Sequence, residues 1–214
     1  MATICNHHVV SCMHGLRERG LPEQQALERA VDLFWERGYH ATSMKHIERA
    51  LDMRPGSLYA TFGSKEGLFS EVLNRYAEQM ADELSRCLQD GETGLQGFRD
   101  YLLALAGPCQ WRNGAPPRAC MLIKTLLEVN PEDPQLRVQV DRILGLMEQR
   151  FAAALKQAQA AGELRPEVDC QRLARLLQAQ VIGLRCFTER AIEPAHFVEL
   201  ADDMGALLAI YQTP

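Results

Sequence analysis

Apolar residues return along most of this chain at intervals of three and four, the spacing that lines one side of an α-helix, so helix after helix is expected. The first well-formed helix covers residues 22–37, with Leu27, Ala30, Val31, Phe34 and Trp35 on one stripe, and Gly38 stands where it should stop. Two short helices follow. Ser43 is placed to cap the first, in which Met44, Ile47 and Leu51 form the buried stripe while Lys45, His46, Glu48 and Arg49 face outward. Asp52 occupies the turn, where Asp tolerates positive φ better than most residues. Pro55 suits the first position of the second short helix, and Leu58 and Phe62 anchor it. Ser64 then caps a helix over residues 65–89, with Leu68, Phe69, Val72, Leu73 and Tyr76 as its inner face. At about 1.5 Å per residue it is a rod of roughly 37 Å, long enough to carry a displacement between distant sites.

Gly91 and Gly94 interrupt the pattern before a helix over 95–106, and the glycines and prolines of 107–117, with Cys109 and Trp111 among them, read as a loop. Residues 118–129 are apolar on nearly every side, which predicts a helix buried in the middle of a bundle. A long helix over 133–161 ends at Gly162. Two amphipathic helices close the chain. The stretch 169–190 carries Leu173, Leu176, Leu177, Val181, Leu184 and Phe187, and the stretch 194–211 carries Phe197, Leu200, Met204, Leu207 and Leu208. The apolar interior expected around the 118–129 helix and its neighbours has Leu102, Trp111, Cys120, Ile123, Lys124, Leu127 and Met147 as candidate cavity lining.

The stretch 38–65 holds the chemistry. A helix as short as 55–62 contributes little stability alone, so Arg54, Ser57, Tyr59, Ala60 and Thr61 around its free surface point to a job beyond packing. Small residues near a helix N-terminus and hydroxyls or cations at its edges are what a helix entering the DNA major groove needs.

Two runs, FWERGYHATSMKHI from Phe34 and GSLYATFGSKEGLF from Gly56, resemble the signature of TetR-family transcriptional regulators. The resemblance implies an all-α protein with an N-terminal three-helix helix-turn-helix domain over 21–64, after an arm over 1–20. A C-terminal helical domain over 65–214 would bind an effector and dimerise. It puts Ser43 and Lys45 near phosphate, Arg54, Pro55, Gly56, Ser57 and Ala60 on the recognition helix, and Tyr59, Thr61 and Lys65 on backbone contacts. Its partners would be a palindromic double-stranded operator, a small-molecule effector and a second copy joined through the last two helices. Glu48, Leu51-Asp52-Met53 and Arg54 depart from the family pattern, which bears on the operator sequence and not on the fold. Some relatives that sense electrophiles or oxidants carry a cysteine at the head of the helix that starts near Cys120, and here Arg118 and the helix dipole could lower a thiol pKa. A second alternative is a helical ligand-binding or adaptor protein that has lost its operator.

A formal net charge of -5 is unusual for a nucleic-acid binder, but between residues 15 and 65 eight Lys or Arg face seven Asp or Glu, so the acid lies mainly beyond the motif. That distribution disfavours indiscriminate DNA binding and leaves contact to a few local cations. Seven cysteines without a CxxC pair or a regular framework read as cytosolic thiols, and no apolar run is long enough for a membrane span. Cys5, His7, His8, Cys12 and His14 match no zinc spacing, so no metal or cofactor is expected, and Arg17 and Arg19 could instead touch phosphate. His40, His46 and Cys120 share no frame with an orienting acid, which argues against an enzyme.

Overall fold

Glycines and caps set the ends of the first four helices in the computed structural model, which describes residues 21–106, 119–128, 134–190 and 192–214. Helix α1 (Leu21–Arg37) stops at Gly38, whose φ of 78° is left-handed. Helix α2 (Met44–Leu51) starts from Ser43, whose Oγ accepts from the His46 amide at 3.3 Å, while His46 Nδ1 turns back to accept from the Ser43 amide at 3.1 Å. This reciprocal cap uses a histidine where Glu or Gln is usual. Asp52 ends α2 with φ 52° and ψ 45°, the left-handed conformation expected of it. Pro55 opens helix α3 (Pro55–Phe62), and Ser64 caps helix α4 (Lys65–Asp90) by accepting from the Gly67 amide at 2.9 Å.

Beyond α4 come α5 (Gly94–Ala106), α6 (Met121–Glu128), α7 (Pro134–Ala160), α8 (Cys170–Phe187) and α9 (Pro194–Ala206). The last expected helix does not run unbroken to Tyr211. It tightens into a 3-10 turn over Leu207–Tyr211, whose end is tied to the α7–α8 connection by Arg165 N donating to Tyr211 O at 3.1 Å and Thr213 N to Glu163 O at 3.0 Å. Among the described residues there is no strand, only an isolated bridge between Leu164 and Gln212, and no helix is long and apolar enough to cross a membrane.

The apolar stripes meet in one continuous core. Ala30, Val31 and Phe34 of α1 pack on Leu68, Phe69 and Val72 of α4, with Ile47 and Leu51 of α2 and Leu58 and Phe62 of α3 closing the small N-terminal unit. Glu28 adds a polar tie, its Oε1 accepting from Arg75 Nε at 2.9 Å and its Oε2 from Gln79 Nε2 at 3.2 Å. Further along, α4 lies against α5 and α7, α5 against α9, and α7 against α8. Gly97 allows α4 and α5 to approach, since a Cβ there would meet Cys87 O at 2.8 Å.

Two expectations fail. Helix α6 is not buried all round: Met121, Leu122 and Thr125 face inward, but Leu127 is 82% exposed, because α6 lies across α7 and α4 at the edge of the bundle and not through its middle. On α8 the stripe is displaced. Leu176 and Phe187 face out, and Arg185, which a helical wheel would send to solvent, is buried.

Candidate nucleic-acid interface and its coupling to the C-terminal helices

The only side chains of α3 that reach the core are Leu58 and Phe62, so the rest of that helix is available to a partner. Arg54, Pro55, Gly56, Ser57, Tyr59 and Ala60 are exposed, Thr61 is half-buried, and Ser43 and Lys45 are exposed at the start of α2. Gly56 is informative because its own chain does not require it: its φ is not left-handed, and a Cβ there would meet nothing within 4 Å. Gly67 is the opposite case. A Cβ on it would stand 2.3 Å from Phe62 O, so the α3–α4 corner closes only over glycine. Lys65 is half-buried, with Nζ 4.4 Å from the centre of the Tyr39 ring, and burial lowers its pKa from the ordinary lysine value. It therefore braces the head as well as facing the surface. Tyr39 in turn packs on Phe69, and Phe69 on Phe34, each at 4.8 Å between ring centres.

The helix that grips this head from the other side is α6, at both ends. Just before its start, Trp35 Nε1 donates to Ala119 O at 2.8 Å, and from its middle Lys124 Nζ reaches Trp35 O at 3.5 Å. At its end, Glu128 accepts from the Tyr39 amide at 3.3 Å through Oε2, and its carbonyl oxygen hydrogen-bonds His40 Nε2 at 3.1 Å. The Glu128 carboxylate fills the space beside Gly38, where a Cβ would come within 2.7 Å of Oε1. Sequence reasoning missed this strap. The partners lie more than eighty residues apart, and no local pattern marks them.

The expected effector residues divide. Leu102, Met147 and Cys120 are buried in the common core and Ile123 packs against it. Lys124 turns toward Trp35, and Leu127 faces solvent, so neither lines an interior cavity. Trp111, Arg118 and the Cys/His-containing arm lie outside the described residues. The described cysteines, Cys87, Cys120, Cys170 and Cys186, are free thiols. Beside Cys120 lies a buried polar group that no pattern announced. Arg185 Nη1 donates to Tyr76 Oη at 3.2 Å, with Cys120 beside the Tyr76 hydroxyl and Glu83 Oε2 3.9 Å from Nη2. The Tyr76 ring also meets Trp35 edge-on at 5.2 Å, so the interior group touches the same tryptophan that α6 holds.

Residues 26–72 match the family model for bacterial regulatory proteins of the tetR family, and residues 106–189 match the tetracyclin repressor-like C-terminal domain. The HTH-type transcriptional repressor ComR of Escherichia coli (strain K12) is 31% identical over 200 residues, covering 91% of this chain and 93% of that protein. Among solved structures, a cysteine mutant of the TetR family transcriptional regulator CifR, complexed with double-strand operator DNA, superposes with a TM-score of 0.77 at 27% identity, over 89% of this chain and 98% of that one. The reduced form of E. coli NemR shares the fold, with a TM-score of 0.69 at 18% identity over 90% of this chain and 97% of that one.

Proposed function

The chain belongs to the TetR family of bacterial transcriptional regulators, a DNA-binding family and not an enzyme one, and from that premise we propose that it is a cytoplasmic repressor that leaves its operator when a small molecule binds its C-terminal domain. The observation that carries the reading is α3: a two-turn helix anchored by Leu58 and Phe62 alone, with Arg54, Gly56, Ser57, Tyr59 and Ala60 free on its outer surface. In this reading α3 enters the major groove, Gly56 lets the backbone approach the bases, and Ser43, Lys45, Tyr59, Thr61 and Lys65 hold the flanking phosphates. The boundary between reading head and effector domain falls at residues 64 and 65, so α4 belongs to the second and supports the first.

Two heads are needed, because one short helix buries too little surface for a specific site. Exposed apolar residues on the last elements, Leu176 at 45%, Val198 at 41%, Leu207 at 51% and Ile210 at 63%, support pairing of two copies through α8, α9 and the terminal turn. Leu176→Asp combined with Ile210→Asp is expected to yield a folded monomer in sedimentation at micromolar concentration. A dimer of unchanged mass would place the interface elsewhere.

Release then requires that the effector prefer a conformer in which the heads lose their spacing, and coupling of about 1 to 3 kcal/mol is typical. The α6 strap and the Tyr76–Trp35 contact supply a route between the two ends. The test is retardation of the protein's own upstream DNA across a salt series. Tyr59→Ala is expected to weaken binding by about tenfold, and Lys65→Gln to reduce the slope of log affinity against log salt by roughly one phosphate contact. Lys65→Gln must also keep its melting temperature, since Lys65 braces Tyr39. Absence of sequence-selective binding there and in a random DNA pool would favour a ligand-binding adaptor that has lost its operator.

A further inference from the structure

The interior polar group has more donors than acceptors. A guanidinium carries five N–H groups and is always charged, yet among the described residues that of Arg185 makes only one hydrogen bond, from Nη1 to Tyr76. Its Nη2 stands 3.9 Å from Glu83, beyond hydrogen-bond reach, and its Nε has no partner. The Tyr101 hydroxyl has none either. Arg185 is 5% exposed and Tyr101 1%, and the Arg185 Nε and the Tyr101 hydroxyl are themselves out of reach of bulk water. Buried donors left in this state are rare in native proteins and mark a place where an acceptor is expected.

The residues come from separate elements, Tyr76 and Glu83 from α4, Tyr101 from α5, Arg185 from α8 and Cys120 from the segment leading into α6, and the others lie near enough to Arg185 to act on its charge. Burial works against the charge of Arg185, but the acidic groups around it outweigh burial and hold its pKa above the ordinary arginine value, so it stays a cation. Burial pushes both tyrosine hydroxyls up, so they remain neutral and able to donate. A fixed cation with two neutral hydroxyls selects a planar anion over a neutral acceptor, because charge-assisted hydrogen bonds strengthen in an apolar surrounding.

We propose that the effector of the C-terminal domain is a small carboxylic acid whose carboxylate is received by Arg185 and Tyr101. This rests on the effector-controlled reading above and narrows it to a ligand class. It also gives the signal a first step. A carboxylate taken by Arg185 draws on the group that Arg185 now bonds, Tyr76, whose ring contacts Trp35 of the reading head. Glu83 limits the acid to one negative charge, since a second anionic group beside it would be repelled.

The test uses the full-length protein with monocarboxylates from acetate to decanoate and from benzoate to naphthoate, each beside its neutral primary amide, and reads melting temperature and operator retardation. Some acids are expected to raise the melting temperature and release DNA while their amides do neither. Tyr101→Phe removes an unpartnered donor, so without acid its melting temperature holds or rises, while its response to the active acid weakens by about tenfold. Arg185→Met should abolish that response. If circular dichroism shows that this variant does not fold, Tyr101→Phe decides alone. Equal action of acids and amides, no shift by any acid, or an unchanged response in Tyr101→Phe overturns the proposal. A shift by acids in a protein that retards no DNA keeps the carboxylate site and removes the regulator. Retarded DNA with no acid response does the reverse.

Discussion

Gly67→Ala is expected to disable operator binding while leaving the C-terminal helices folded. The added methyl would stand 2.3 Å from the Phe62 carbonyl oxygen, and that neighbour is backbone, which cannot swing aside as a side chain does. Something must move, and α4 is the fixed partner because Leu68 and Phe69, the next two residues, are fully buried. Helix α3 therefore tilts away from its seat. Overpacking of this kind costs about 1 to 3 kcal/mol, and each 1.4 kcal/mol is roughly tenfold in binding, so retardation should weaken by on the order of a hundredfold with a lowered urea midpoint. Gly56→Ala is the control. With nothing within 4 Å and an ordinary helical φ, it is expected to stabilise the fold by about 0.4 to 1 kcal/mol. If Gly56 faces bases, operator binding nevertheless weakens, and the two glycine variants would separate in urea melts while agreeing in loss of DNA.

Cutting the α6 strap should have an effect nearly as large, and of a different kind. Glu128→Ala leaves the Tyr39 amide without its acceptor, and Trp35→Phe keeps an aromatic ring against Tyr76 while removing the donor to Ala119. Each loss is expected to cost about 1 kcal/mol, and the Glu128 change somewhat more because the space beside Gly38 also opens. The double variant should bind operator as well as the parent or better, because a free head can adjust to its site, but it should no longer respond to effector. Hydrogen exchange reads this without an effector: amides of α1 to α3 should exchange faster in the double variant while those of α7 do not change. Uniform acceleration in both regions would mean that the strap only stabilises the fold.

How much of this was legible in the sequence varies with the range of the interaction. Gly38, Ser43, Asp52, Pro55 and Ser64 took the roles expected of them, because caps and turns are decided by one residue and its immediate neighbours. The core stripes of α1 and α4 followed for the same reason, one repeated period. The errors came where period alone cannot say which side has a neighbour. In α6 apolar residues surround the helix, and only the bundle's edge explains why Leu127 is left outside. In α8 Arg185 is inside because Tyr76 and Glu83, a hundred residues earlier, receive it, and no local rule predicts a buried guanidinium. Of the candidate interface residues, the sequence located the surface they occupy; of the expected effector lining, Lys124 reaches the Trp35 carbonyl oxygen of the head and Leu127 faces solvent, and neither placement has a local signal.

The strap also fixes an order of events during synthesis. Everything needed to build the three-helix head and its seat on α4 has been translated by about residue 90, whereas Ala119 and Glu128 emerge later. Chains fold from the N-terminus as they leave the ribosome, at about 5 to 20 residues per second. For a few seconds the nascent protein therefore owns a reading head with no restraint on it, and control is added to a device that is already formed.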